Sequence, residues 1–428
     1  VLISFFAQSK PTERIKMSYQ NRNRRGPARA HSYGGRKSFG PNNNRRNFAG
    51  KSKKAGESIH YSRYIKPASA VQADEVYQPE HTFADFQVNS LLKHNITKKG
   101  IVTPSPIQDQ SIPVALAGND IVGIANTGTG KTLAFAIPVI NRLMNEPGSK
   151  ALVLAPTREL AEQIEIEMKS IGKGSGLFGA TLIGGVNMRP QFMALKDNPE
   201  IIIGTPGRVK DHLQRGTLDL SNVNMIVLDE FDRMLDMGFV NDMRMILGEL
   251  ADDRQSFFFS ATLDAKVKSL VAEFTKDPVT VSVKSGETTD TVEQNVVFYK
   301  DKAEKIDLLH DLLIDEAAKK VLIFHETKYG ADRLGQTLVD RGFAAGSIHG
   351  GKTQGARSRT LREFKSNTTN VLVATDVAAR GIDVSDITHV INYAEPQTYA
   401  DYVHRIGRAG RAGKTGFALT FVEKSNKA

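Results

Sequence analysis

The chain contains no cysteine, which excludes disulfides and thiolate metal sites and suits a reducing compartment such as the cytoplasm. No apolar stretch approaches membrane-spanning length, so no membrane partner is expected. The apolar run Val1 to Ala7 is too short, and no charge precedes it, so it does not read as a signal peptide. Met17 opens a basic, polar segment and is a candidate true start, which would leave residues 1–16 outside the native protein. Acids are scarce at the N-terminus: within the first 60 residues 14 Lys+Arg face only Glu13 and Glu57, whereas the rest holds 43 Lys+Arg and 45 Asp+Glu. The net charge of +10 therefore belongs to a tail and not to a globular surface.

That tail is expected over residues 1–79. Its Asn21–Arg25, Ser32–Lys37 and Pro41–Arg46 stretches mix Arg, Asn and Gly with isolated Tyr19, Tyr33, Phe39 and Phe48. Such a segment buries too little apolar area to offset its ordering entropy and should be disordered. It reads as a solubilising tail or as a non-specific RNA tether. The coincidence of Arg with aromatics, for phosphate and base stacking respectively, favours the tether.

From His81 onward the pattern changes. Apolar runs of strand length alternate with helical stretches: Ile121–Ile124, Ala151–Ala155, Ala180–Ile183, Ile201–Ile203, Met225–Leu228 and Ser256–Phe259. The alternation restarts at Val321–Phe324, Ala344–Ile348, Val371–Ala374, His389–Asn392 and Phe417–Phe421. It predicts an α/β protein in which each half is a parallel sheet flanked by helices. The polar stretch KSGETTDT separates the halves, giving a first domain at 80–283, a linker at 284–293 and a second domain at 294–428. No short internal repeat is present, and the second half lacks a phosphate loop of its own.

Ala125 to Thr132 reads ANTGTGKT, between an apolar run and a helical one, which is the context a phosphate-binding loop needs. Gly128 and Gly130 let backbone N–H groups close around phosphate oxygens, with Thr127 and Thr129 between and beside them. The following helix turns its positive end toward the anion. Lys131 is expected on the β/γ-phosphates and Thr132 on Mg²⁺. Asp229 to Asp232 reads DEFD after the strand Met225–Leu228. Asp229 would hold Mg²⁺ through its water shell, and Glu230 would orient and deprotonate the attacking water. Together the two strings imply binding and hydrolysis of a nucleoside triphosphate.

Beyond these strings, about His81 to Val422 resembles the DEAD-box RNA helicases of superfamily 2. The resemblance implies two tandem RecA-like domains, the cofactors ATP and Mg²⁺, and RNA as partner, bound by its backbone with little sequence specificity. Phe83 and Gly100–Gln108 match the adenine-recognition motif, with Gln108 on the base edge and Phe83 stacking; plain core packing is the alternative for Phe83. Pro156, Thr157 and Arg158 of PTREL, Gly185 of the Gly184–Gly185 pair, and Thr205, Pro206, Gly207 and Arg208 match the RNA-backbone motifs of the first domain. Thr157 alone would be an ordinary helix N-cap. Ser260–Thr262 (SAT) resembles the motif linking ATP to strand separation, with Asp232 coupled to Ser260 and Thr262. In the second half, Val321–Phe324 with Thr327–Lys328, then His349–Gly350, Gln354 and Arg357, resemble RNA-contact segments. Ala374–Asp383 resembles the motif that puts Thr375 near RNA and Asp383 near the ribose. His404–Arg411 (HRIGRAGR) resembles the motif whose arginines, here Arg408 and Arg411, neutralise charge growing on the γ-phosphate, with His404 bridging toward SAT.

The implied activity is ATP-dependent RNA binding with local unwinding of short duplexes, and protein partners in ribonucleoprotein complexes. Alternatives are an ATP-gated RNA clamp that rarely unwinds, a DNA helicase or translocase, and a pseudoenzyme. Asn126 stands where the family usually has Gln, Ile101 where an aromatic is common, and Phe231 where DEAD has Ala. A Phe in an Ala-sized space costs about 1–3 kcal/mol unless a pocket has adapted. The retained Asp229, Glu230 and Asp232 favour an active enzyme. A closing helix, usual in the family, is not found before Ala428. The short core resembles bacterial members more than large eukaryotic ones.

Overall fold

The computed structural model describes residues 59–68, 77–126, 128–283, 291–379, 382, 384, 386–410 and 415–424. Thr127, Asp383 and Arg411, all expected at the site, lie outside these residues, as do residues 1–58 of the basic segment.

The first sheet comprises β1 (Ile121–Ile124), β2 (Ala151–Leu154), β3 (Gly179–Leu182), β4 (Ile201–Gly204), β5 (Met225–Leu228), β6 (Gln255–Ser260) and β7 (Val279–Ser282). All neighbours are parallel, in the order β3-β4-β2-β5-β6-β1-β7. Its helices are α1 (Ser90–Lys98), α2 (Pro106–Leu116), α3 (Lys131–Asn145), α4 (Arg158–Ile171), α5 (Met188–Lys196), α6 (Pro206–Gln214), α7 (Phe231–Asp236), α8 (Val240–Gly248) and α9 (Ala265–Phe274). The second sheet comprises β8 (Val292–Tyr299), β9 (Val321–Phe324), β10 (Ala345–Ile348), β11 (Val371–Ala374), β12 (His389–Asn392) and β13 (Gly416–Glu423). It is also wholly parallel, in the order β10-β11-β9-β12-β13-β8. It carries α10 (Lys302–Leu313), α11 (Lys328–Asp340), α12 (Gln354–Lys365), α13 (Asp376–Ala379) and α14 (Tyr399–Ile406).

The runs are continuously apolar because both faces of each sheet are covered. In β2, Ala151 and Val153 enter one core with Ile137 and Phe259, while Leu152 and Leu154 enter another with Ile226 and Phe258. The second sheet repeats this: Val321 and Ile323 face one cluster, Leu322 and Phe324 the other. A helix after every strand but β7 and β13 fixes the parallel order and puts the strand-to-helix turns at the strands' C-terminal ends. That is where open α/β sheets bind ligands.

Three segments differ from the sequence expectation. β7 and β8 were not anticipated, and β8 begins at Val292, inside the expected linker. Three of the four β7 residues are exposed, as befits an edge strand. Residues 59–68, assigned to the tail by composition, hold a one-turn 3₁₀ helix (Tyr61–Tyr64) whose Tyr64 is fully buried in the second domain. Tyr77 to His81 are fastened to α2: Asp109 accepts from Tyr77 Oη at 2.6 Å, from Glu80 N at 2.8 Å and from His81 N at 3.1 Å.

Candidate active site between two sheets

The phosphate loop joins β1 to α3. Gly128 and Gly130 adopt φ of 88° and 91°, a left-handed backbone that residues with a Cβ rarely take. A Cβ at Gly130 would also overlap the Gln108 side chain. Gln108 is buried and braces the loop: its Nε2 donates to Gly130 O at 3.0 Å, and its Oε1 accepts from Ser105 N, at the α2 N-cap, at 2.9 Å. It thus couples the start of α2 to the phosphate loop. Phe83, 6% exposed, packs edge-to-face with Phe86 at 5.7 Å, within the first domain's core. Thr129 Oγ1 donates to Asn126 O at 2.8 Å, tightening the loop. Lys131, the first residue of α3, is buried and donates to Ala125 O at 2.9 Å. Thr132 follows it in the same first turn, half-buried.

The four residues of DEFD continue from β5 into α7. Glu230 is the α7 N-cap at φ 52°, a strained position for a residue with a side chain, of the sort that gathers at functional sites. Asp229 and Glu230 are both nearly fully buried, yet their acidities diverge. Burial pushes the Asp229 carboxyl up to about 6, with Lys131 opposing and Glu230 reinforcing the rise. Burial would raise Glu230 as well, but the charges of Arg233, Arg408 and Lys131 hold it down at about 2. Arg233 Nη1 donates to Glu230 Oε2 at 2.9 Å. Held low by these cations, the Glu230 carboxyl is ionised at neutral pH, the state that accepts a hydrogen bond from water.

Phe231 begins α7. Its ring is 1% exposed, packs edge-to-face with Phe258 at 5.1 Å and 84°, and joins the core with Met234, Val267 and Leu270. A pocket has therefore formed around the ring. Asp232 accepts from Ala261 N and Thr262 N, each at 3.1 Å, and from Thr262 Oγ1 at 3.2 Å. Asp232 is thus hydrogen-bonded to Thr262. Ser260 instead donates from Oγ to Thr262 O at 2.6 Å, folding the SAT turn on itself.

α14 brings the second domain to this place. Arg405 is clamped bidentately by Asp376 at 2.6 and 2.8 Å, and also donates to Ala394 O at 2.7 Å. Arg408, 4% exposed, donates to Ile382 O at 3.1 Å and lies near enough to Glu230 to depress its pKa. Arg233 of the first domain lines one small cavity with His404, Arg405 and Arg408 of the second. Phosphate loop, paired acids and arginine thus converge from both sheets.

A second cluster lies at the turns after β2 and β4. Thr157 caps α4 through its Oγ1, which accepts from Leu160 N at 3.3 Å; Pro156 precedes it. Thr205 is the N-cap of α6, with Pro206 in the first turn and open space around Gly207. A Cβ at Gly185, φ 72°, would collide with the Arg158 guanidinium. Burial, then the charge of Arg357 and, more weakly, that of Arg208, lower the pKa of Arg158. Arg208 reaches Val186 O at 3.4 Å and Asp211 at 3.6 Å. On Arg158 the charges of Arg357 and Arg208 act with one sign, and those of Glu159 and Glu162 with the other. Gln354 and Arg357 meet the first domain through α4: Arg357 Nη2 pairs with Glu159 Oε1 at 2.8 Å, and Gln354 Nε2 donates to Glu162 Oε1 at 3.0 Å. Burial raises the Glu162 carboxyl. Thr375 is buried just after β11, its carbonyl accepting from Ala378 N and Ala379 N.

Sequence reasoning passed over Arg233, Glu159, Glu162 and Asp376. Helical spacing carried a signal for three of them: Arg233 lies one turn past Glu230, and Glu159 and Glu162 share an α4 face. Among the described residues no group of three or more His, Asp or Glu side chains could hold a metal unaided. The Thr132 hydroxyl and the Asp229 carboxylate, the latter buried at a raised pKa, are hard donors that fit Mg²⁺ completed by phosphate and water oxygens.

A family model described as DEAD/DEAH box helicase matches residues 105–270, and one described as helicase conserved C-terminal domain matches residues 304–413. The DEAD-box ATP-dependent RNA helicase CshA of Bacillus subtilis is 44% identical over 348 residues, covering 81% of this chain and 70% of the relative. Its namesake from Bacillus licheniformis is 45% identical over 347 residues, covering 81% and 71%. Among solved structures, Mss116p bound to ssRNA and AMP-PNP superposes with a TM-score of 0.73 at 30% identity, covering 84% of this chain and 77% of that one. S. cerevisiae Dbp5 bound to RNA and ADP BeF3 gives 0.70 at 29% identity, covering 81% and 90%. The two sheets are thus those of the RecA-like helicase architecture.

Proposed function

The chain belongs to the DEAD-box family of ATP-dependent RNA helicases, and from that membership we propose that it couples ATP-driven closure of its two domains to local unwinding of short RNA duplexes. The observation that supports this most is the cavity that Arg233, paired with Glu230 at 2.9 Å on one domain, lines together with His404, Arg405 and Arg408 of the other. Neither domain alone holds a complete site, so hydrolysis waits on closure, and RNA spanning both domains favours the closed form.

In this reading the phosphate loop of the 80–283 domain binds ATP, with Thr127, Gly128, Thr129 and Gly130 around the phosphates and Lys131 on the γ side. Phe83 and Gln108 serve the adenine, Gln108 relaying its presence to Gly130. Thr132 and Asp229 hold Mg²⁺, which neutralises phosphate charge when bound. Glu230 orients the attacking water, and Arg408 with Arg411 neutralises the charge developing on the γ-phosphate. Asp383 meets the ribose. Asp232, Ser260, Thr262 and His404 carry the state of the nucleotide to the RNA side. Arg158, Arg208, Thr205, Thr375 and their neighbours hold RNA phosphates and 2′-hydroxyls, which brings no base specificity. Gln354 and Arg357 act in closure through Glu162 and Glu159, beside the RNA. The second domain, which begins with β8 at Val292, supplies the arginines, the linker before it sets its reach, and the basic N-terminal segment is a cytoplasmic RNA tether open to ribonucleoprotein partners.

The test is displacement of a labelled strand from a short RNA duplex. The reading expects release with ATP and multiple turnover. Persistent RNA binding with AMP-PNP, but no release with ATP, would favour an ATP-gated clamp.

A further inference from the structure

The 3₁₀ helix Tyr61–Tyr64 precedes the first sheet in sequence yet packs on the second domain, against the helix α14, which ends two residues before Arg408. Tyr64 is fully buried, its ring 4.7 Å from that of Tyr402 in α14. Tyr402 Oη in turn donates to Gln294 Oε1 at 3.0 Å. The backbone of Gln294 pairs with Lys66, donating at 2.8 Å and accepting at 3.0 Å. Arg63 lies 4.1 Å over the ring of Tyr399, the first residue of α14. Tyr64 also shares its core with Ile406 and Ala409, which bracket Arg408 in sequence.

α14 has only eight residues, too few to hold a helix by its own hydrogen bonds, so its direction is set by what backs it. We propose that Tyr64 is a positioning residue for ATP hydrolysis: docked behind α14, it fixes the helix so that Arg408 is presented to the nucleotide held by the other domain. This rests on the reading of Arg408 as the group that meets the γ-phosphate. The Tyr64 hydroxyl is buried without a hydrogen-bond partner, so the ring and not the oxygen carries the role.

The test is the RNA-stimulated ATPase of the full chain with Tyr64→Ala, Tyr64→Phe, Arg408→Ala and the Tyr64→Ala/Arg408→Ala double variant. Tyr64→Phe should match wild type. Tyr64→Ala should lower kcat about tenfold while KM for ATP stays within about twofold, because the phosphate loop lies on the other domain. The double variant should be no slower than Arg408→Ala, since a residue acting through Arg408 has nothing left to act on. Wild-type kcat in Tyr64→Ala, or losses that multiply in the double variant, would overturn the proposal. If Tyr64→Ala does not fold, Arg63→Gln is the second probe, with an expected loss of about threefold and an unchanged rate overturning the proposal. Arg408→Ala with wild-type turnover would sink the underlying reading itself. A dead Arg408→Ala beside an unimpaired Tyr64→Ala would sink only the role of Tyr64.

Discussion

Replacing Phe231 by Ala tests whether the first domain has been rebuilt around the ring that stands in its acidic motif. The ring is 1% exposed and sits edge-to-face on Phe258 at 5.1 Å. Removing a buried phenyl group forfeits its transfer free energy and leaves a cavity, together about 3–5 kcal/mol, with the aromatic pair within that sum. The surrounding core is built from β-strand and helix residues that cannot collapse far, so a loss of about 4 kcal/mol is expected. For a unit of this size that lowers the first unfolding transition by roughly 8–16 °C. The polar contacts of the motif do not run through the ring: Glu230 pairs with Arg233, and Asp232 with Ala261 and Thr262. Turnover of the folded variant well below its transition should therefore fall only modestly. Thermal denaturation by circular dichroism and ATPase at low temperature read the two effects separately. A transition within 2 °C or so of wild type, which is below about 1 kcal/mol, would refute the buried-ring account. Loss of all turnover in a folded variant would show that the acids themselves depend on the ring.

Gly130→Ala should abolish nucleotide binding measured by calorimetry with ADP, because the added Cβ meets Gln108 at a left-handed backbone position. Arg357→Ala strands Glu159, 3% exposed, without its cation; about 3 kcal/mol lost from the closed form would weaken AMP-PNP-dependent RNA binding roughly 100-fold by anisotropy. Burial depresses the His389 pKa to about 4, while its ring stacks on Phe417 at 4.8 Å. Between pH 6.5 and about 4 the unfolded state takes up a proton that the folded state refuses, so stability is full above pH 6.5 and falls across that window by about 3 kcal/mol. His389→Phe should flatten that part of the pH–Tm curve, and an unchanged slope would contradict it.

Every strand expected from apolar runs is present, because a parallel sheet covered on both faces writes itself as such runs. β7 and β8 escaped for the opposite reason: each lies at a sheet edge and mixes polar with apolar residues, which periodicity alone does not separate from loop. Residues 59–68 follow a basic stretch and look like tail, yet one tyrosine with a pocket on another domain suffices to fix a turn. Such a contact across more than 300 residues leaves no local pattern. At the site, the loop and the acidic motif were legible as strings, and the Asp232–Thr262 coupling was legible only through family resemblance. What the strings withheld was partnership: that Gln108 braces Gly130, that Arg233 holds Glu230, and that Glu159 and Glu162 receive Arg357 and Gln354. These depend on side chains brought together by the fold.

The central claim is that one catalytic site is split between two domains and completed when RNA favours closure. ATP hydrolysis with and without single-stranded RNA, beside single-stranded DNA and a Glu230→Gln control, tests it most directly. The account predicts strong stimulation by RNA, none by DNA, and loss of turnover in Glu230→Gln. Equal hydrolysis with and without RNA, or turnover surviving in Glu230→Gln, would contradict it.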